Sequence, residues 1–215
     1  MISLLALAFA AATPTTAVPY AEGPSAEQPR RIEAIGGYTL ALIWAPEHCA
    51  RPVPGAESLR CGPNGGSGFV LHGLWPDGRG NSWPQWCADA AILSPRTIAA
   101  YSAATPSAQL MQHEWAKHGT CMGITPKAYF KRSTRLFYRV RYPDMAALAH
   151  MPVTAGTFTR AFAAANPGMA PDMMTLNLDR DGSLREVWLC LDTKFRRERC
   201  RTPTLADRTV RIRLP

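Results

Sequence analysis

The sequence lacks the two patterns that most often indicate a zinc site. None of its six cysteines forms a Cys-x-x-Cys pair, which argues against a zinc ribbon. His113 and Glu114 could begin the zinc-protease pattern, but that pattern needs a second histidine four residues after the first, and His118 comes five residues on. On a helix the longer spacing turns the two imidazoles about 140° apart, too splayed for one tetrahedral ion. The sequence therefore predicts neither a metal nor another cofactor.

The chain also lacks a repeat, a second domain and an apolar run long enough to span a bilayer. With 215 residues and 47% hydrophobic composition it can bury one sizeable core. The apolar stretch from Ile2 to Ala12 suits the core of a signal peptide, although no Lys or Arg precedes it. We therefore expect a signal peptide at residues 1–17, a flexible lead-in at residues 18–31 and a single domain at residues 32–215. The mature chain is expected to be periplasmic or secreted, and to be a monomer with no membrane partner.

Histidine is scarce, and most of it is concentrated in two short motifs. Of five histidines, His72 lies in the first motif, and His113 and His118 lie in the second together with Glu114 and Lys117. At about 100° per residue, positions 113, 114, 117 and 118 share one face of a helix. A solvated face with a Glu114–Lys117 pair would explain the charges alone, but the crowded turns around them favour a helix anchored on a core. The grouping indicates acid–base chemistry at a phosphate.

The two motifs together resemble the ribonuclease T2 family. They run from Gly68 to Pro76 and from His113 to Cys121, and supporting positions are Leu40, Trp44, Trp83, Pro84, Cys87 and Cys190. The resemblance implies an α+β fold with a central, mainly antiparallel sheet, helices packed against it and stabilising disulfides. It also implies an endoribonuclease of low base specificity that acts on single-stranded RNA. Cleavage would pass through a 2′,3′-cyclic phosphate to 3′-phosphate ends without a metal.

The resemblance assigns a role to each residue of the motifs. His118 would be the general base that takes the ribose 2′-hydroxyl proton, and His72 the general acid that protonates the leaving oxygen. Lys117 would stabilise the charge of the transition state. Glu114 would orient His118 or, if its pKa is raised, donate a hydrogen bond to phosphate. His113 would bind phosphate, although a histidine bonded to helix backbone is an equal alternative.

Three further residues are candidates for binding bases. Trp75 and Asp77 correspond to the first base site of relatives, and Trp83 is a second candidate for stacking. A stacked indole contributes roughly 1 to 3 kcal/mol per base, whereas core packing is the alternative for a tryptophan in such a motif. Ile43 and Ala45 depart from the glutamine and proline that relatives often have, which leaves the base preference of the second site open.

Six cysteines in an exported chain predict three disulfides, for which 15 connectivities are possible. The resemblance favours three pairs: Cys49 with Cys61, Cys87 with Cys121, and Cys190 with Cys200.

The formal charge of +8 and the pI near 9.5 favour polyanionic partners. Basic residues concentrate between Lys194 and Arg201 and again at Arg208, Arg211 and Arg213. Such a run is typical of a solvated hairpin loop, but beside a ribonuclease site it also predicts a track for the RNA backbone.

Local patterns predict the order of the elements. Strands are expected at Tyr38–Trp44, Gly68–His72, Met174–Leu178, Glu186–Leu191 and Thr209–Leu214, with a hairpin at Asp181 and Gly182. Helices are expected after Ser94, from Thr105 through the second motif, from Thr125 to about Arg141, and from Thr157 to Asn166. Two other functions stay open: a catalytically silent RNA-binding or recognition protein on the same fold, and a zinc hydrolase.

Overall fold

The computed structural model describes residues 18–51, 61 and 66–215. The expected signal peptide, residues 1–17, lies outside the described residues. The strands are β1 (Ile35–Trp44), β2 (Phe69–Gly78), β3 (Val153–Thr154), β4 (Met174–Leu178), β5 (Leu184–Leu191) and β6 (Thr209–Val210). The helices are α1 (Ala45–Ala50), α2 (Pro95–Tyr101), α3 (Ala108–Lys117), α4 (Pro126–Phe137), α5 (Met145–Ala149) and α6 (Ala155–Ala165), with 3₁₀ turns at Gly119–Met122 and Pro171–Met173.

The central sheet is antiparallel, with strand order β2-β1-β5-β4. Because side chains of a strand alternate between faces, each strand has one apolar and one mixed face. The apolar face carries Leu40, Leu42, Val187 and Leu189, which pack with aromatic side chains of α4 and α6 into the main core. This arrangement confirms the predicted α+β fold. The other face is left for the polar and aromatic side chains that form the site below.

Four of the helices, α2, α3, α4 and α6, begin where a hydroxyl side chain accepts a backbone N–H. Ser94 and Thr125 cap α2 and α4, as the sequence predicts. The predicted start of α3 at Thr105 is wrong, because Ser107 provides the cap and the helix begins at Ala108. The predicted start of α6 at position 157 is two residues late, because Thr154 provides the cap and the helix begins at Ala155.

Two strand predictions also need correction. β2 runs from Phe69 past His72 to Gly78, so the first motif after Gly68 lies within a strand rather than at the end of one. The strand expected at Thr209–Leu214 is reduced to the two residues of β6, which pairs with β3 in a separate two-stranded sheet. The hairpin between β4 and β5 is present, and Gly182 adopts a φ of 85° that favours glycine.

Three disulfides join Cys49 to Cys61, Cys87 to Cys121 and Cys190 to Cys200, the pairs that the resemblance favours. The bridge between Cys87 and Cys121 connects the segment after β2 to the 3₁₀ turn after α3, with the two Cα atoms 4.9 Å apart. It therefore links the two motif segments covalently.

Residues 18–31 make defined contacts with the domain, where the sequence analysis expects a flexible lead-in. Tyr20 bonds to Gln109 of α3, and the backbone of Arg31 pairs with that of Gln85. Within residues 18–51, 61 and 66–215, no helix combines the length and apolar character needed to cross a membrane.

Candidate active site

A β-bulge places His72. Ala41 of β1 pairs with Gly73, and the next residue, Leu42, pairs with Leu71, so the pairing register skips His72. The backbone of Leu71 makes its hydrogen bonds on the other side, where its N–H donates to the Ala104 carbonyl at 2.9 Å. A bulge of this kind changes the direction of a side chain.

The bulge corrects a mismatch in the spacing of the first motif. In a regular strand His72 would face away from Trp75 and Asp77, because they lie three and five residues further on. With the register shifted by one residue, all three side chains line one pocket. Thr105, the residue expected to cap α3, holds this geometry instead, because its hydroxyl donates to the Leu71 carbonyl at 2.9 Å.

His72 lies between two carboxylates. Its Nδ1 is 2.9 Å from Oε1 of Glu186 on β5, and its Nε2 is 3.4 Å from Oε1 of Glu114 on α3. The Trp188 indole N–H also donates to the Glu186 carboxylate. Burial opposes ionisation of Glu186, but attraction to His72 and the hydrogen bonds from His72 and Trp188 outweigh it and lower its pKa.

Glu114 is buried against β2 where the first motif has its glycine. A Cβ at Gly73 would collide with the Glu114 carboxylate, so glycine is required for this close approach. Oε2 of Glu114 accepts from the Trp75 indole at 2.8 Å. Burial raises the pKa of the Glu114 carboxyl, and attraction to His72 opposes that rise only in part. A protonated carboxyl can donate a hydrogen bond, which favours the second of its two predicted roles.

His118 lies at the C-terminal cap of α3. Its backbone N–H donates to the Glu114 carbonyl at 3.1 Å, and its ring stacks on Trp75 with centroids 5.5 Å apart. Burial lowers the pKa of His118 well below its ordinary value, and the neighbouring positive charge of Lys117 lowers it further. The imidazole is therefore neutral under conditions that half-protonate a free histidine, and it can accept a proton.

Lys117 and His113 complete the side of the pocket that α3 forms. Lys117 is the last residue of the helix and is half-buried, whereas His113 is buried one turn earlier. The His113 and Trp86 rings are perpendicular with centroids 5.6 Å apart, and Nδ1 of His113 is 2.6 Å from the Glu22 carboxylate. Nδ1 of His113 therefore contacts a carboxylate, and not the helix backbone as in the alternative interpretation.

The candidate base-binding residues have different surroundings. Trp75 is half-buried among the rings of His72, His118 and Trp188. Asp77 accepts from the Thr39 hydroxyl at 2.8 Å, and burial raises the pKa of its carboxyl. Trp83 is 46% exposed, with the Arg31 guanidinium 5.4 Å from its ring centroid. Trp83 is thus the most accessible of the three for stacking.

All eight predicted site residues line one pocket of about 400 Å³. The pocket is also lined by four residues that were not predicted from the sequence: Thr39, Asn177, Glu186 and Trp188. They come from β1, β4 and β5, and strand pairing sets Asn177 opposite Glu186. The alternation of β5 could indicate that Glu186 and Trp188 face away from the core, but only the pairing shows which site they join.

Two comparisons establish the family. The family model described as the ribonuclease T2 family matches residues 35–200. The chain belongs to the ribonuclease T2 family. A ribonuclease of Aeromonas hydrophila is 33% identical over 161 residues, which cover 72% of this chain and 71% of that protein. A probable ribonuclease of Haemophilus influenzae is 33% identical over 119 residues, which cover 50% of this chain and only 44% of that protein.

The T2 fold extends to solved structures. RNase NT, solved in complex with 5′-AMP, superposes with a TM-score of 0.64 at 20% identity, over 84% of this chain and 98% of that one. At this identity the likeness shows the fold alone. Ile43, which departs from the T2 pattern, is buried in a small cluster with Ala45 and Leu110. The side chain at position 43 therefore packs in the core of this chain.

A second recess of about 400 Å³ adjoins the pocket that the eight predicted residues line. The two share four residues: Thr39, Asp77, Trp83 and Trp188. Its other walls include Arg199, which lies in the segment closed by the Cys190–Cys200 bridge, and Arg201, which follows that bridge.

Arginines of the basic run have partners within the fold. Arg196 pairs with Asp192 at 2.7 Å, Arg199 with Asp172 at 3.0 Å and Arg213 with the buried Glu47 at 2.8 Å. Arg201 donates to the Gly80 carbonyl. The RNA track stays a prediction, and Arg199 and Arg201 are the positions at which to test it, because they line the recess beside the pocket.

Proposed function

We propose that this chain is an endoribonuclease that cleaves single-stranded RNA through a 2′,3′-cyclic phosphate, with His118 as general base and His72 as general acid. The observation that carries the proposal is the placement of both imidazoles against Trp75 in one pocket. Their ring centroids lie 5.0 and 5.5 Å from that of Trp75, and Lys117 lines the same pocket. Membership of the T2 family supports the proposal, as does the 5′-AMP complex of RNase NT, a protein of the same fold.

The reaction needs no nucleophile from the protein. The ribose 2′-oxygen attacks phosphorus as His118 takes its proton, and the 5′-oxygen of the next nucleotide leaves as His72 gives it a proton. Hydrolysis of the cyclic ester then reverses the two roles, with water as the nucleophile. The lowered pKa of His118 fits the first role, because a base must begin unprotonated.

Glu186 supports the acid. Its carboxylate accepts a hydrogen bond from Nδ1 of His72, which fixes the tautomer and stabilises the protonated ring. Lys117 stabilises the negative charge that develops on the phosphate oxygens. Glu114, with its raised pKa, donates a hydrogen bond to the phosphate when protonated.

The alternative is a protein that binds RNA without cleaving it. The test is to incubate the purified full chain with RNA homopolymers in the presence of a chelator, and with DNA of matching sequence. We expect all RNA homopolymers to be cut and DNA to stay intact, because the nucleophile belongs to the ribose. Binding without cleavage would favour the silent protein. Cleavage that is lost on chelation and restored by zinc would favour a metal hydrolase.

The position of the second recess indicates the path that a longer RNA takes beyond the pocket of the two histidines. Replacing Arg199 and Arg201 together with glutamine should raise KM for long RNA and flatten its salt dependence, since affinity for single strands falls with about the 0.7 power of salt per phosphate neutralised. The rate on a dinucleotide should change little. The matched control is the Arg180 and Arg196 double variant, which removes the same charge outside both recesses. Equal salt slopes for the two double variants would contradict the path.

A further inference from the structure

The segment that precedes the family match lies along α3 and reaches the active site. The Tyr20 N–H donates to Oε1 of Gln109 at 2.8 Å, and Nε2 of Gln109 donates back to the Tyr20 carbonyl at 3.2 Å. The same Nε2 also donates to the Glu22 carboxylate. Gln109 lies one turn before His113 on α3, so these bonds set Glu22 beside His113.

Glu22 contacts His113 directly. Oε2 of Glu22 is 2.6 Å from Nδ1 of His113, and the two side chains are only 14% and 8% exposed. A carboxylate can only accept, so Nδ1 carries a proton in this contact. The Trp86 ring makes a T-shaped contact with the imidazole and limits its rotation. The orientation and tautomer of His113 are thus fixed from outside the pocket that it lines.

The groups around His113 come from α3, β2 and the N-terminal segment. Lys117 and His118 at the end of α3 and His72 on β2 line the same pocket. Glu114 follows His113 directly on α3, and burial favours its neutral form. Glu22, which comes from the N-terminal segment, accepts a hydrogen bond from Nδ1 of the ring. This contact sets which way the ring faces, and therefore where its second nitrogen, Nε2, lies relative to phosphate.

We propose that Glu22 is a positioning residue that holds the ring of His113 in the orientation in which it binds phosphate. The segment before residue 35, which the family model does not match, is then part of the phosphate site. The proposal rests on the proposed function, because it takes the phosphate of RNA as the ligand. Glu22 itself touches His113 and does not act on substrate.

The test compares Glu22→Gln with Glu27→Gln in the full chain. Glu27 is the matched control, because it lies exposed on the same segment and accepts from Ser25 rather than from the active site. The dissociation constant of a nucleoside 3′-monophosphate is measured by calorimetry between about pH 5 and about pH 8, which spans the titration range of histidine. The thermal midpoint of each variant and its kcat and KM on RNA are measured alongside.

We expect Glu22→Gln to bind the nucleotide about tenfold more weakly near neutral pH, because a charge-assisted hydrogen bond is lost or weakened. KM should rise more than kcat falls, and Glu27→Gln should match the parent throughout. Glu22→Asp should recover part of the affinity, since it restores the charge.

Two results would overturn the proposal: equal affinity of Glu22→Gln and the parent across the pH range, or a loss of affinity that parallels a lower thermal midpoint. Nucleotide binding needs no turnover, so it separates this proposal from the proposed function. A parent that binds the nucleotide through Glu22 but does not cut RNA would disprove only the proposed function. If the parent cut RNA and Glu22→Gln behaved as the parent does, only the proposal for Glu22 would be disproved.

Discussion

Replacing His118 with alanine is expected to lower kcat on RNA by about 10² to 10⁴, the usual contribution of a positioned general base. The fold should survive, because the contacts that anchor the end of α3 are the backbone bond to Glu114 and the Cys87–Cys121 bridge. Steady-state rates and the thermal midpoint are measured on the same preparation. His150→Ala is the control, since it removes an exposed histidine outside the pocket and should leave both unchanged.

The pH dependence of the parent tests the same assignment. A general base loses activity when it is protonated, so the acidic limb of the kcat/KM profile reports the pKa of the free base. Because burial lowers the pKa of His118, that limb should lie below the value of about 6.5 for a free histidine. Activity should therefore persist into mildly acidic solution. An acidic limb above that value, or a folded His118→Ala variant with the rate of the parent, would contradict the assignment.

A second large effect is expected at His72 and depends on the leaving group. His72→Ala should lower kcat on RNA by about 10² to 10⁴, because the departing ribose oxygen needs a proton. On a nucleoside 3′-(p-nitrophenyl phosphate) the loss should be within about tenfold, since p-nitrophenolate leaves without one. Glu186→Gln should show the same pattern with a smaller loss, about 10- to 100-fold on RNA, because it acts through His72.

His118→Ala provides the contrast, since the attacking hydroxyl of both substrates needs a base and both rates should fall together. Trp188→Phe, which keeps an aromatic ring but removes the N–H bond to Glu186, should be milder than Glu186→Gln. If His72→Ala lost as much on the p-nitrophenyl ester as on RNA, His72 would not be the acid. If Glu186→Gln lost equally on both, its role would be one of folding rather than of proton transfer.

Much of the sheet could be predicted from the sequence because its signals are local. Alternation of apolar residues marks β4 and β5, and Asp181 and Gly182 mark the turn between them. The capping hydroxyls of Ser94 and Thr125 locate two helices for the same reason. The wrong start of α3 has a non-local cause, because the Thr105 hydroxyl is used by the Leu71 carbonyl of β2.

The eight predicted residues that line the pocket lie in or near two contiguous motifs, whereas the other contacts of the site depend on pairing between distant segments. The bulge at His72 follows from register with β1, which the first motif does not encode by itself. Glu186 and Glu22 each lie 2.9 Å or less from a histidine that is about ninety or more residues away in the chain. No spacing rule connects residues so far apart, and neither position carries a distinctive local pattern.

The most direct test of the central claim uses an oligonucleotide that has a single ribose within a DNA chain, treated with the full-length protein and a chelator. The account predicts one cut, on the 3′ side of that ribose, and a terminal 2′,3′-cyclic phosphate that is seen first by phosphorus NMR and then hydrolysed to a 3′-phosphate. An oligonucleotide with a 2′-O-methyl group at the same position should stay intact. Cutting of the methylated chain, or a product that never passes through the cyclic ester, would contradict the claim that the ribose supplies the nucleophile and His118 its base.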